Sequence, residues 1–155
     1  MRTVLIGSDH AGYELKESLK RFLQEQGYAV VDVGVYSREP ADYPDIAHAL
    51  TKQLGQSADA VGVLICGTGI GMCIAANKRR GIRAAHAGDP VSAAMARAHN
   101  NANVLCLGAR IVGEELAKGI VSAFLQTPFS AEPRHQRRVE KLELNFGGET
   151  PSHIE

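Results

Sequence analysis

The chain has no tryptophan, no surplus of either charge, no long apolar run and no cysteine pairing pattern. Lys plus Arg and Asp plus Glu stand at 17 each. That balance gives no electrostatic reason to expect nucleic acid or an acidic membrane surface as partner. No stretch approaches the roughly 20 apolar residues of a membrane-spanning helix. Residues 1–6 turn polar too quickly for a signal peptide and read as a first strand. The three cysteines, Cys66, Cys73 and Cys106, are odd in number and form no CxxC. Free thiols of this kind suit a reducing cytosol, so a cytoplasmic location is expected. The histidines lack metal-ligand spacing, and no HxxxH or paired-carboxylate motif occurs, so no metal is expected. Nothing is repeated or of low complexity. At 155 residues one domain with one good core is expected.

What the chain does have is Gly62-Val63-Leu64-Ile65-Cys66-Gly67-Thr68-Gly69-Ile70-Gly71-Met72. An apolar run ends in a cysteine, and three glycines then alternate over five positions. Small residues from Met72 to Lys78 follow. The pattern reads as a buried strand, a tight turn and a helix start. Alternating glycines leave backbone N–H groups uncovered, and beside a helix N-terminus they form a nest for an anion. Cys66 sits at its lip, where the field favours a thiolate.

Short β-like runs alternate with amphipathic stretches along the rest of the chain. Strands are expected over residues 3–7, 29–34, 60–65, 82–87 and 103–107. Helices are expected over 13–26, 45–54, 72–78, from about 90 to 98, over 113–125 and over 133–144. Residues from 145 on read as a loose tail after a single domain over 1–144. Strands separated by helices imply a five-stranded parallel sheet with right-handed crossovers, a three-layer α/β/α, Rossmann-like fold. The site of such a sheet lies at the carboxyl ends of its strands. Asp9, His10, Tyr43, Cys66, Thr68 and Arg110 fall at that edge, whereas His99 and Asn100 fall at the opposite one.

Several of these residues have a structural reading as well. Asp9 caps the first helix, serves the site, or does both. Cys66 is either an inert buried thiol or the functional one, and its place at the glycine nest favours the second. Cys73 and Cys106 fall on apolar faces and read as core. His99-Asn100-Asn101 has the composition of a helix C-cap. His48 reads as solvent-facing and His86 as a core or edge residue. Arg134 and Arg138 are four apart, hence on one helix face, and could grip one phosphate, while Arg137 points elsewhere.

The residues carry a resemblance. Gly7-Ser8-Asp9-His10-Ala11-Gly12, Asp42-Tyr43-Pro44, the turn Ile65 to Gly71, Ala75-Ala76-Asn77-Lys78, Gly81-Ile82-Arg83-Ala84, His99-Asn100, Asn103-Val104-Leu105, Gly108-Ala109-Arg110 and Arg134-His135-Gln136 occur in order. The chain resembles the ribose-5-phosphate isomerase B type of sugar-phosphate isomerases, which includes galactose-6-phosphate isomerase subunits. One branch replaces the cysteine by a glutamate further along the loop. Here Cys66 is present and neutral Met72 and Cys73 stand at the later position, so the chain resembles the cysteine branch.

The resemblance implies a cofactor-free, metal-free conversion of ribose 5-phosphate to ribulose 5-phosphate. It implies that His99 opens the sugar ring with help from Asp9, that Cys66 moves a proton between C2 and C1, and that the N–H groups of Gly67 to Gly71, with Gly69 between them, hold the oxyanion. It gives Thr68 the proton between O1 and O2, and Tyr43 the sugar hydroxyls. The phosphate falls to His10, Arg110, Arg134 and Arg138, with His135 nearby. It also implies a homodimer in which His99, Asn100, Arg134 and Arg138 come from the partner and the last helix reaches across, leaving dimer and tetramer open. A hexose 6-phosphate of allose or galactose is the alternative substrate. A nucleotide-binding module fits less well, because GxGxG follows the third strand and not the first. A cysteine phosphatase would want an arginine where Met72 and Cys73 stand.

Overall fold

Five parallel strands alternate with helices in a computed structural model that describes residues 2–144. The tail expected from residue 145 lies outside the described residues. The order is β1 (Thr3–Ser8), α1 (Tyr13–Glu25), β2 (Ala29–Asp32), α2 (Tyr43–Leu54), β3 (Ala60–Cys66), α3 (Ile70–Asn77), β4 (Ala84–His86), α4 (Pro90–Asn100), β5 (Val104–Gly108), α5 (Glu114–Gln126) and α6 (Pro133–Leu142). The strands lie in the order β2-β1-β3-β5-β4.

Alternation along the strands sorts the core into two layers. Val4, Ile6, Val63, Ile65, Leu105 and Leu107 face one way, against Leu19 and Leu23 of α1, Ala93 of α4 and Phe124 of α5. Leu5, Leu64, Cys66 and Cys106 face the other, against Leu50 of α2 and Met72 of α3. Helix α6 packs on α4.

Most element ends follow local chemistry. α2 begins at Tyr43, two residues before the expected start. Asp42 is its N-cap residue, and Pro44 sits in the first turn, where a missing N–H costs nothing. At α4, Asp89 Oδ1 accepts the Ser92 N–H at 2.7 Å, and Asn101 ends the helix at φ 46°. The composition of the expected C-cap is thereby explained.

Two strands are shorter than their apolar runs suggest. β4 has three residues rather than the six of residues 82–87. Side-chain amides take over its first ladder positions: Asn103 Oδ1 accepts the Arg83 N–H and Asn77 Oδ1 the Ala84 N–H, both at 2.8 Å. β2 ends at Asp32, whose Oδ1 accepts the Gly34 N–H at 2.9 Å.

β2 and β3 lie on opposite sides of β1. The connections leaving β1 and β3 therefore diverge, and a crevice opens between their carboxyl ends. Asp9 and Cys66 stand on its two sides, tied by the Asp9 N–H to Ile65 O bond of 3.2 Å.

Candidate active site

Cys66 is the last residue of β3 and is 4% exposed. Its Sγ accepts the N–H of Gly69 at 3.2 Å. Gly69 is the N-cap residue of α3 with φ 83°, a conformation that costs glycine nothing and other residues 1 kcal/mol or so. A Cβ there would meet His86 Cδ2 and the Leu107 carbonyl carbon, each at 2.8 Å. Behind it, a Cβ on Gly108 would stand 2.5 Å from Thr68 O, so the end of β5 admits only glycine against the turn. The turn is thus clamped, with the positive end of α3 facing the sulfur.

That clamp yields an expected result. Gly69→Ala should lower kcat about 10²-fold, the usual cost of losing one preorganised donor, while far-ultraviolet circular dichroism stays unchanged. Steady-state turnover equal to that of the parent would contradict it.

The neighbouring residues converge on this turn. Thr68 Oγ1 accepts the Ile70 N–H at 3.2 Å, which leaves its own hydrogen available. The Tyr43 ring lies on Gly71, within 2.7 Å of a would-be Cβ. The Arg110 guanidinium lies over Gly67 in the same way at 3.1 Å, and the Arg110 N–H donates to Gly67 O at 2.9 Å. Asp9 is 7% exposed, and its Oδ1 accepts the Gly12 N–H at 3.1 Å, leaving Oδ2 open. Asp9 is therefore not the helix cap, since the N-cap residue of α1 is Gly12 without a side-chain cap; it braces the turn before α1 and stands at the site. His10 is exposed, and its Nδ1 accepts the Ala41 N–H at 3.1 Å. A neutral His10 must then carry its proton on Nε2, the nitrogen available to a ligand.

The other candidates gather elsewhere. His99 and Asn100 end α4, just before β5 begins at Val104. Cys66 pairs with Gly108 at the far end of β5. Four strand steps of ~3.3 Å put about 13 Å between those levels. The His99 ring lies against that of His135, with centroids 4.3 Å apart. His135 Nδ1 is 2.6 Å from Ser130 Oγ. Burial, and secondarily the nearby His99 and Arg134 charges, hold the His135 imidazole below its ordinary pKa. Arg134 and Arg138 are both exposed on α6, and Arg134 pairs with Glu132 at 3.0 Å. His135 is buried rather than exposed beside the arginines, so its direct contact is with His99.

Cys73 reads differently from the sequence, whereas His86 takes the edge position, one of its two expected readings. Cys73 is not core: it is half-buried, and its Sγ lies 3.5 Å from Ala84 O and 3.6 Å from Asn77 Nδ2. His86 is exposed on the edge strand β4 with its ring on Gly69. No motif spacing signals that contact, because it joins two elements across β5. Cys106 is fully buried and His48 exposed, as expected.

Two clefts, of about 570 and 660 Å³, lie around Lys78, Arg79 and Arg80, and neither includes Cys66 or the glycine turn. Among the described residues no three His, Cys, Asp or Glu form a set that could hold a metal ion. No described helix is long and apolar enough to cross a membrane.

Known proteins share this architecture. The ribose/galactose isomerase family model matches residues 4–142. Ribose-5-phosphate isomerase B of Escherichia coli (strain K12) is 44% identical over 142 residues, covering 92% of this chain and 95% of that protein. D-erythrulose-4-phosphate isomerase of Pectobacterium atrosepticum is 46% identical over 133 residues, covering 83% and 86%. The crystal structure of ribose-5-phosphate isomerase B from Mycoplasma genitalium with bound ribulose 5-phosphate superposes with a TM-score of 0.88 at 41% identity, covering 96% of this chain and 97% of that one. With a family model spanning nearly all described residues and relatives above 40% identity over most of their length, the chain belongs to the ribose/galactose isomerase family.

Proposed function

We propose that this protein interconverts ribose 5-phosphate and ribulose 5-phosphate by proton transfer through a cis-enediolate. The observation that carries the reading is the Cys66 sulfur, held 3.2 Å from the Gly69 N–H in the crevice between β1 and β3. A thiolate there is a base for the C2 proton of a bound aldose and returns the proton at C1. The N–H groups of the glycine turn face the oxyanion that develops meanwhile. Thr68, with its hydroxyl hydrogen available, moves the proton between O1 and O2. Asp9 acts at the anomeric hydroxyl, Tyr43 on the sugar hydroxyls, and His10 Nε2–H and Arg110 at the phosphate.

The ring-opening group and the remaining phosphate ligands lie at the amino edge. His99, Asn100, Arg134 and Arg138 cannot reach their own chain's Cys66 across about 13 Å of strand. A two-fold dimer brings one chain's amino edge to the other's carboxyl edge and makes two equivalent sites. The reading is therefore a homodimer with shared sites, acting on a small sugar phosphate. Its free thiols suit a reducing cytoplasm.

The direct test is ketose formation from a panel of ribose 5-phosphate, allose 6-phosphate, galactose 6-phosphate and erythrose 4-phosphate after exhaustive chelation. The last is included because one close relative is a D-erythrulose-4-phosphate isomerase. Ribose 5-phosphate should show the highest kcat/KM, with no gain from added divalent ions. Preference for another aldose would move the substrate, and restoration by a metal would overturn the mechanism.

His99 provides a sharper test. Ring opening needs an acid or base, whereas an aldose that cannot close a ring does not. His99→Asn should lower kcat/KM on ribose 5-phosphate about 10²-fold more than on erythrose 4-phosphate, following the usual worth of one such group. Equal losses on the two substrates would remove His99 from ring opening.

A further inference from the structure

Cys73 and Cys106 have no part in the isomerisation, yet they are not two unrelated thiols. Cys73 is in the first turns of α3, seven residues after Cys66. Cys106 is in the middle of β5, paired with Leu64 on one side and His86 on the other. The two lie between helix and sheet, with Cys73 packed on the apolar cluster that contains Cys106. Cys73 is half-buried, whereas Cys106 is 0% exposed. One thiol is thus reachable and the other sits beneath it.

The Cys73 thiol faces one acceptor, Ala84 O at 3.5 Å, and two donors. Asn77 Nδ2 lies 3.6 Å from its Sγ, and the His86 backbone N–H also points to it. The neighbouring Cys106 thiol, and after it those backbone and amide donors, outweigh burial and bring the Cys73 thiol down to about 7. Cys106 moves the opposite way, because the neighbouring Cys73 thiol and burial both disfavour its charge. A thiolate fraction at neutral pH is what an oxidant attacks.

The position couples the pair to the site. The Cys73 N–H donates to Gly69 O at 3.1 Å, and the Gly69 N–H donates to Cys66 Sγ. A pull on Cys73 is therefore a pull on the residue that holds the Cys66 sulfur.

We propose that Cys73 and Cys106 form a peroxide-responsive thiol pair whose closure to a disulfide switches the Cys66 site off. The Cys73 thiolate attacks one oxygen of a hydroperoxide, the O–O bond breaks, and the other oxygen leaves as an alcohol or water after taking a proton. Cys73 is then a sulfenic acid. The Cys106 thiol attacks its sulfur, the S–O bond breaks, and water leaves. Two electrons pass from the two sulfurs to the peroxide. The new bond ties α3 to β5 and draws Gly69 away from Cys66. Thiol reductants reverse it. The switching arm rests on the reading of Cys66 as the base, whereas the cross-link itself does not.

The test treats the reduced protein with substoichiometric hydrogen peroxide, alkylates free thiols, and maps peptides by mass. The expected result is a linked Cys73–Cys106 peptide lacking two hydrogens. Turnover should fall roughly 10- to 10²-fold in step with it, the cost of about 1 Å of misplacement at a reacting group, and dithiothreitol should restore it. Cys73→Ser should keep the basal turnover and lose the reversible phase. Cys106→Ala tests the same point from the buried side. Inactivation with oxidation confined to Cys66, or a linked peptide at unchanged turnover, would overturn the switch. A reduced protein with no isomerase activity that still forms the link would instead indict the reading of Cys66.

Discussion

Cys66→Ala should lower kcat by about 10³-fold or more, within the range of a general base that has no substitute, while KM changes little. The argument is local. The sulfur accepts the Gly69 N–H at the crevice. Asp9, across the crevice, already has one carboxylate oxygen committed to the Gly12 N–H. Removing the sulfur leaves the glycine turn, Tyr43, His10 and Arg110 in place, so binding of the sugar phosphate survives and the carbon proton has no acceptor. Cys66 faces the α2–α3 core beside Met72 and Cys106, so deleting its sulfur leaves a small void and costs about 1 kcal/mol of stability. Steady-state kinetics and isothermal titration with ribose 5-phosphate separate the two effects. A variant with near-parental turnover would end the assignment, and one that fails to bind would make Cys66 a structural residue. Cys73→Ala, by contrast, should leave turnover of the reduced protein close to the parent.

The sequence made the core of this site legible because its signals are local. An apolar run, a cysteine and alternating glycines are neighbours in the chain, and the strand, the turn and the helix follow from their order. The five-stranded parallel sheet was legible for the same reason: each strand and helix carries its own period. The edge to which each residue falls then follows from topology, which sets His99 away from Cys66. What stayed hidden depends on contacts between elements. β4 is short because Asn103 and Asn77 take its first N–H groups by side chain, and an apolar run over residues 82–87 does not announce that. Cys73 lies on a helix face that reads as apolar, and only the fold sets Asn77, the His86 backbone and Cys106 around its sulfur. The His86 ring reaches Gly69 across β5. The direct contact between His135 and His99 likewise needed α6 to dock on α4.

Arg138→Ala is expected to lower kcat/KM roughly 10- to 10²-fold, the worth of one charge-assisted bond to the phosphate, although Arg138 and Cys66 belong to opposite edges of one chain. Arg138 is exposed on α6, four residues from Arg134, which pairs with Glu132 at 3.0 Å. A guanidinium pair on a phosphate dianion supplies charge-assisted bonds of about 1.5–3 kcal/mol each, so losing one weakens substrate and transition state together. The central claim is that this phosphate grip serves the neighbouring subunit's Cys66. Mixing decides it. The Cys66→Ala and Arg138→Ala proteins are unfolded together and refolded, and subunit exchange is verified with a mass label. In a shared-site dimer, each mixed dimer has one site with both lesions and one with neither. Random pairing makes about half of the dimers mixed, so roughly a quarter of all sites should recover by this two-fold symmetry. If Arg138 served its own chain's site, every site in a mixed dimer would carry one lesion. Recovery near a quarter of parental activity is the predicted result, and verified exchange with no recovery contradicts the shared site.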